Sequence, residues 1–306
     1  MENSSISKSK LIFYGLTFFM IAVGLIIFQQ QSGKTKIVFC DVGQGDGIYI
    51  RTKNKIDILI DAGPNNAILN CLGKQMPFFD RQIDYVFISH PQADHYSGLL
   101  TIAERYQIKH LIITPLYADS KKYQKLIELT QSKKSQISKA VAGQQFIIDD
   151  NIKLKIIWPN QNFANANSLD EKILGATTLL TSSSDPNNFS QVILFQQGNF
   201  DILFTGDIPI DILQRLIDDG SSLSGISLEA MKIPHHGSLS GISDNILSAL
   251  DPQLAVISVG KNAYGHPAKK LLQWLKEDNI GYKTTRDDGD IIIRINEKGW
   301  EYETQN

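Results

Sequence analysis

Five of the six histidines in this chain stand in three short stretches beside glycine, proline or aspartate. SHPQADHYSG (89–98) carries His90 and His95, MKIPHHGS (231–238) carries His235 and His236, and YGHP (264–267) carries His266. Only His110 opens an ordinary strand-like run, and it reads as structural. A divalent cation needs three or four donors converging within about 2.0–2.3 Å, and imidazoles and carboxylates on loops after strands can supply them. In H-x-Q-x-D-H, His90 and Gln92 can face one position while Asp94 and His95 face a neighbouring one. The alternative for Asp94 is a cap on a helix starting near Tyr96. Asp207 ends the run FTGD and Asp61 stands in LIDAG. Taken singly, Asp207 reads as a helix cap, and His266 as part of a turn.

These residues need a scaffold of strands ending in loops. KIVFCD, GIYIRT, DILID, YVFIS and HLIIT read as strands, rich in isoleucine, valine and aromatics. GLLTIAERY and residues 119–132 have helical spacing. FIIDD and KLKIIW read as a hairpin with Asp149, Asp150 and Asn151 at the turn. Residues 159–188 lose periodicity and read as a long loop, a lid or an insertion. QVILFQQ, DILFT, LEAMKI and QLAVISV resume the strands, with helices over IPIDILQRLID, 242–250 and 267–277, and GYKTT and DIIIRI close the chain. This is an α/β pattern with sites at strand ends.

The composition is that of a globular protein, with 42% hydrophobic and 20% charged residues and a net charge of -2. No global basic footprint for nucleic acid exists. Lys121, Lys122, Lys125, Lys133, Lys134 and Lys139 form a local cluster that reads as a solvated helix face. Leu11 to Phe28 is an uncharged apolar run long enough to span a bilayer core of about 30 Å. It has no small-residue cleavage site before Lys34, so the expectation is an uncleaved single-pass anchor over about 11–28, with tail and linker completing residues 1–34. Flanking lysines balance across it, and the short N-terminal tail places residues 35–306 outside the cytoplasm. Cys40 and Cys71 read as two free thiols.

The order Asp61, His90–His95, Asp207, His235–His236 resembles the metallo-β-lactamase superfamily, and more narrowly the hydrolase domain of ComEC competence proteins. FCDVGQGDGIYI, LIDAGP, SHPQADHYSGL, NNFSQVILF, LFTGDI, MKIPHHGS, NAYGHP and TTRDDGDIII carry that resemblance in order over residues 36–296. It implies a four-layer αββα sandwich with a metal site between the sheets. His90 and position 92 would belong to one ion, and Asp94 and His95 to a second. Asp207 would bridge them, and one histidine of the 235–236 pair, here His235 with the choice between the two left open, would complete the second site. Asp61 would orient ligands or water, with His236 and His266 left for acid–base work. Asn188, Ser190, Gly237 and Ser238 would hold a phosphate. The departure is Gln92, an amide where ComEC-like domains carry aspartate. The first site is therefore expected weak or empty.

The resemblance implies a membrane-anchored metal-dependent phosphodiesterase or nuclease acting on DNA, with one or two Mn or Zn ions, Mg being a third candidate. Nucleic acid and the competence or DNA-uptake machinery are the implied partners. The rival expectations are a catalytically impaired binding or regulatory module, motivated by Gln92, and a hydrolase of an extracellular phosphate ester or wall polymer.

Overall fold

The computed structural model describes residues 8–31, 33–149, 151–167, 170–174, 177–219, 223 and 225–305. After a first helix, α1 (Lys8–Gln31), the chain builds β1 (Thr35–Phe39), β2 (Gly47–Arg51), β3 (Asp57–Ala62), α2 (Ala67–Gln75), β4 (Gln82–Ile88), α3 (Ala93–Arg105), β5 (Gln107–Ile113), α4 (Lys121–Ser132) and β6 (Gln136–Lys139). It then forms β7 (Gln145–Asp149), β8 (Ile152–Trp158), α5 (Gln161–Ala166), β9 (Asp170–Leu174), β10 (Thr177–Thr181), β11 (Val192–Gln197), β12 (Phe200–Phe204), α6 (Ile210–Asp218) and β13 (Ala230–Lys232). The last elements are α7 (Asp244–Leu250), β14 (Leu254–Ile257), α8 (Lys269–Glu277), β15 (Gly281–Thr284), α9 (Thr285–Asp288), β16 (Asp290–Asn296) and β17 (Gly299–Gln305).

Two large sheets result, in the orders β17-β16-β1-β2-β3-β4-β5-β6 and β15-β14-β13-β12-β11-β8-β7, with β9 and β10 forming a separate two-stranded one. Their inner faces meet through Ile37, Phe39, Ile58, Phe87, Ile193, Phe195 and Phe204, all buried. Strands covered on both faces read as continuous apolar runs for this reason. The outer face of the first sheet carries α2, α3 and α4, packed through Val38, Tyr49, Leu72, Leu99 and Leu126. The outer face of the second carries α6, α7 and α8, packed through Leu203, Leu213, Leu247 and Leu271. The layers run helix, sheet, sheet, helix. Among the described residues, every buried hydrophobic core residue lies after Lys36.

Three expectations change. Cys40 and Cys71 are not free: they form a disulfide, with Cα atoms 5.7 Å apart. Cys40 follows β1 on the face that α2 covers, and both cysteines sit in the same buried cluster. Residues 159–188 are not one loop. They hold α5, the antiparallel β9–β10 hairpin and a 3-10 turn over Pro186–Phe189, although 168–169 and 175–176 lie outside the described residues. The backbone over Lys8–Gln31 is one 24-residue helix. The transmembrane helix expected over 11–28 is not supported, because among the described residues no helix is long and apolar enough to cross a membrane. The side chains of Leu11 and of residues 25–31 lie outside those described. Asp150 of the β7–β8 turn lies outside them too. His110 is half-buried on β5, stacked on Tyr85 at 4.9 Å between ring centroids.

Candidate metal centre

Most site residues leave the end of a strand, while Asp94 and His95 stand in the first turn of α3. β3 delivers Asp61, β4 delivers Ser89 and His90, β12 delivers Asp207, and β13 delivers His235 and His236. Gln92 is the N-cap residue of α3 and makes no side-chain capping bond, which places Asp94 in the first helical turn rather than at the cap. Asp207 is not a cap either, since α6 is entered through Pro209. Three side chains of the site sit on left-handed backbone: Asp61 (φ 56°), His235 (φ 49°) and His236 (φ 54°). Non-glycine residues rarely adopt this region, and such strain gathers at functional sites. Two left-handed residues in succession turn His236 inward and leave His235 half-exposed at the rim. Gly45 keeps the wall close, because a Cβ there would collide with the Asp94 carbonyl.

Ligand atoms of Asp94, His95, Asp207 and His236 all lie within 4.8 Å of one another. His95 Nε2 and His236 Nε2 are each 3.3 Å from Asp207 Oδ2, and His236 Nε2 is 3.5 Å from Asp94 Oδ2. Metal–ligand bonds of about 2.0–2.2 Å at tetrahedral angles put ligands roughly 3.4 Å apart. The two nitrogens are buried yet make no hydrogen bond of good geometry. Their other ring nitrogens are tied down: His95 Nδ1 is 2.8 Å from Asp61 Oδ2, and His236 Nδ1 is 2.9 Å from the Ser258 carbonyl. With each Nδ1–H donated outward, each Nε2 lone pair faces the cluster. The donors present thus fit a divalent ion.

His90 is fully buried beside this group, its ring 4.1 Å from that of His95, with Nε2 lacking a partner. It does not join the four-donor set, and Gln92 is half-exposed. The sequence assignment of His235 as ligand and His236 as acid–base group is reversed in the geometry: His235 Nε2 comes only to 4.0 Å of Asp207.

Two residues of the centre were not singled out from the sequence, Asp46 and Lys232. Lys232 is fully buried, with Nζ 2.5 Å from Asp46 Oδ2, 2.7 Å from the Gly206 carbonyl and 3.5 Å from Asp207 Oδ1. Asp46 also lies 3.4 Å from His236 Nδ1. The signals were present in GQGDG, and in a lysine placed inside an otherwise apolar strand end.

The electrostatics follow from crowding. Burial alone would lower His95 and His236, but the Asp207 carboxylate outweighs it and holds both well above the usual imidazole value. Burial would raise Asp207, and the His236, His95 and Lys232 charges hold it well below the usual carboxylate range. Burial, with the His95 charge adding to it, pushes His90 down to about 3. Burial pushes Asp61 up against the opposing pull of His95.

At the rim, the rings of His235 and His266 stand 6.0 Å apart, and burial lowers both. His235 Nδ1 is 3.1 Å from Ser240 Oγ, and Ser238 Oγ is 2.9 Å from the same hydroxyl. Gly237 packs against Pro267, where a Cβ would not fit. The phosphate-binding role expected of Ser190 is not open to it: it is fully buried and accepts a hydrogen bond from Asp207 N at 3.1 Å, which holds the Asp207 loop. Asn188 is half-buried, its carbonyl accepting from Trp158 Nε1 at 2.7 Å.

Comparison with known proteins agrees with this architecture. Residues 57–208 match the family described as "Beta-lactamase superfamily domain". The chain is 23% identical over 288 residues to ComE operon protein 3 of Bacillus subtilis, covering 88% of this chain and 34% of that protein. It is 24% identical over 289 residues to Recombination protein 2 of Haemophilus influenzae, covering 90% of this chain and 31% of that protein. It therefore spans about a third of the length of these relatives. Among solved structures, CmlA, a diiron beta-hydroxylase from Streptomyces venezuelae, shares the fold with a TM-score of 0.54 at 11% identity, covering 89% of this chain and 54% of that one. The chain is a mixed α/β sandwich of the metallo-β-lactamase type, carrying a β-lactamase superfamily domain and related to the competence proteins.

Proposed function

We propose that this chain is a metal-dependent phosphodiesterase acting on DNA, seated on a membrane with its sandwich on the extracytoplasmic side. The observation that carries the reading is the convergence of two carboxylates and two outward-tied imidazoles on one point. A set balanced between oxygen and nitrogen suits Mn or Zn, with Mg the harder alternative. A bound divalent ion would supply a Lewis acid and an acidified water. The protein's own work is positional. Asp61 and Ser89 fix the His95 ring, Ser258 fixes His236, and Lys232 with Asp46 fixes the Asp207 loop. His235 and His266, kept neutral by burial, stand where they can donate N–H to a phosphoryl or leaving oxygen.

DNA as substrate is supported by the names of the relatives, which speak of competence and recombination. Competence or uptake machinery is the corresponding partner. The membrane seat is supported by the exposed apolar side chains of α1, Ile12, Phe13, Phe18, Phe19 and Met20. The disulfide supports an oxidising, extracytoplasmic setting. A second reading, an impaired binding module, is favoured by one observation: an amide, not a carboxylate, at Gln92 beside His90.

The test is hydrolysis of single- and double-stranded DNA and of bis-p-nitrophenyl phosphate by protein purified without chelator. Turnover with Mn²⁺ that EDTA removes, and that His95→Ala and Asp207→Ala lack, is the expected result. A folded protein with no turnover on any of these with Mn²⁺, Zn²⁺ or Mg²⁺ would favour the binding module.

A further inference from the structure

The end of the first sheet opposite the metal centre carries a cleft of about 600 Å³ that the proposed hydrolysis does not use. Asp57, on its wall side, and Asp61, at the metal centre, are four residues apart on β3, so roughly 13 Å of strand separates the two sites. Lys34, Lys36, Arg51, Lys55 and Arg294 line the cleft together with Phe79.

Most of these cations are matched. Lys34 pairs with Glu301 and Arg51 with Asp57 and Asp80. Arg294 pairs with Glu303, and Lys53 and Lys74 pair with Glu297 and Asp290. Lys36 has no carboxylate partner among the described residues, and its ammonium lies 5.8 Å from the centroid of the Tyr49 ring. Its half-buried ammonium donates to the Gln75 carbonyl at 2.6 Å and to Gln75 Oε1 at 3.1 Å, both neutral oxygens. Burial, with Arg294 and Arg51 nearby, lowers it to about 8. Lys55 is exposed and has no ion pair among the described residues. At the mouth, Phe78 and Phe79 project into solvent, 84% and 74% exposed, their rings edge to face at 5.4 Å.

Two bare aromatic rings thus stand beside two cations, Lys36 and Lys55, that no carboxylate pairs among the described residues. A lipid surface explains both: aromatic rings settle at the headgroup level, and cations meet anionic phosphates. Position agrees, since α1 ends at Gln31 and β1 begins at Thr35, with three residues between, at this same end of the sheet. We propose that Phe78, Phe79 and the Lys36–Lys55 cleft form a docking surface for an anionic phospholipid bilayer, holding the sandwich upright with its metal centre facing away from the membrane. The inference rests on the proposed membrane seat for its direction, but the surface binds lipid without α1.

Residues 33–306 contain every core residue and both sheets, so this piece serves for the test. It is sedimented with vesicles of phosphatidylcholine alone and with added phosphatidylglycerol, at low and high salt. Expected is binding to the anionic vesicles only, weakened by salt. Phe78→Ser with Phe79→Ser weakens it at least about tenfold, and Lys36→Gln and Lys55→Gln weaken it roughly fivefold each. Both phenylalanines are exposed, so an unchanged melting curve certifies the fold. Equal binding to neutral and anionic vesicles, or full binding by the double phenylalanine variant, would overturn the proposal. Recovery of the full chain in the soluble fraction of lysed cells would overturn the proposed membrane seat instead, leaving the vesicle result standing.

Discussion

Lys232 and Asp46 form a fully buried ion pair 2.5 Å long at the floor of the metal centre. The pair ties three segments together: the β1–β2 loop through Asp46, the end of β13 through Lys232, and the Asp207 loop through the Gly206 carbonyl. Breaking a buried pair from one side strands a charge, whereas replacing both partners with apolar groups does not. Asp46→Ala is therefore expected to cost roughly 3–5 kcal/mol in urea denaturation of the chelated protein. Asp46→Leu with Lys232→Met is expected to recover most of that loss.

Gln92 is expected to limit how many ions the centre holds. It occupies the N-cap of α3 next to buried His90, whose Nε2 has no partner. A carboxylate there would complete a second donor set. Gln92→Asp is expected to raise bound Mn²⁺ by about one ion per chain, read by elemental mass spectrometry after dialysis.

The Cys40–Cys71 bridge closes a loop of sequence separation 31. Loop closure of that length is worth about 2–4 kcal/mol. Cys40→Ser with Cys71→Ser is expected to lose that much, and reductant is expected to destabilise the wild type but not the variant.

Lys36 gives a pH signature far from the metal centre. Its folded pKa of about 8, set by burial and then by Arg294 and Arg51, lies below the ordinary 10.5. Between those values the unfolded chain holds a proton that the folded chain releases, so stability rises with pH across that window. The full rise is roughly 3 kcal/mol, a value that already includes the opposing pull of the facing carboxylates Asp57 and Glu303. Urea denaturation of wild type and Lys36→Met from pH 7.5 to 10.5 isolates it: the variant starts more stable and lacks the rise.

Several of these features were legible in the sequence, and several were not. The apolar runs that became β1, β3, β4 and β5 are buried on both faces, so composition alone marked them. The closeness of Asp94 and His95 in one short stretch, and the place of Asp207 just after a strand, were visible in the same way. The choice between His235 and His236 was not, because it rests on two consecutive left-handed residues that no propensity announces. Asp46 was hidden in a glycine-rich turn, and its role depends on a lysine far along the chain. The β9–β10 hairpin was hidden because its strands, DEKIL and TTLLT, are polar and short. The disulfide depends on α2 lying over the end of β1, a tertiary relationship.

The central claim is that one ion is held by Asp94, His95, Asp207 and His236. Its most direct test is the metal content of wild type, His236→Ala and His235→Ala, each purified without chelator and weighed by elemental mass spectrometry. The account predicts that His236→Ala loses the metal while His235→Ala keeps it. Loss in His235→Ala with retention in His236→Ala, or equal content in all three, would contradict it.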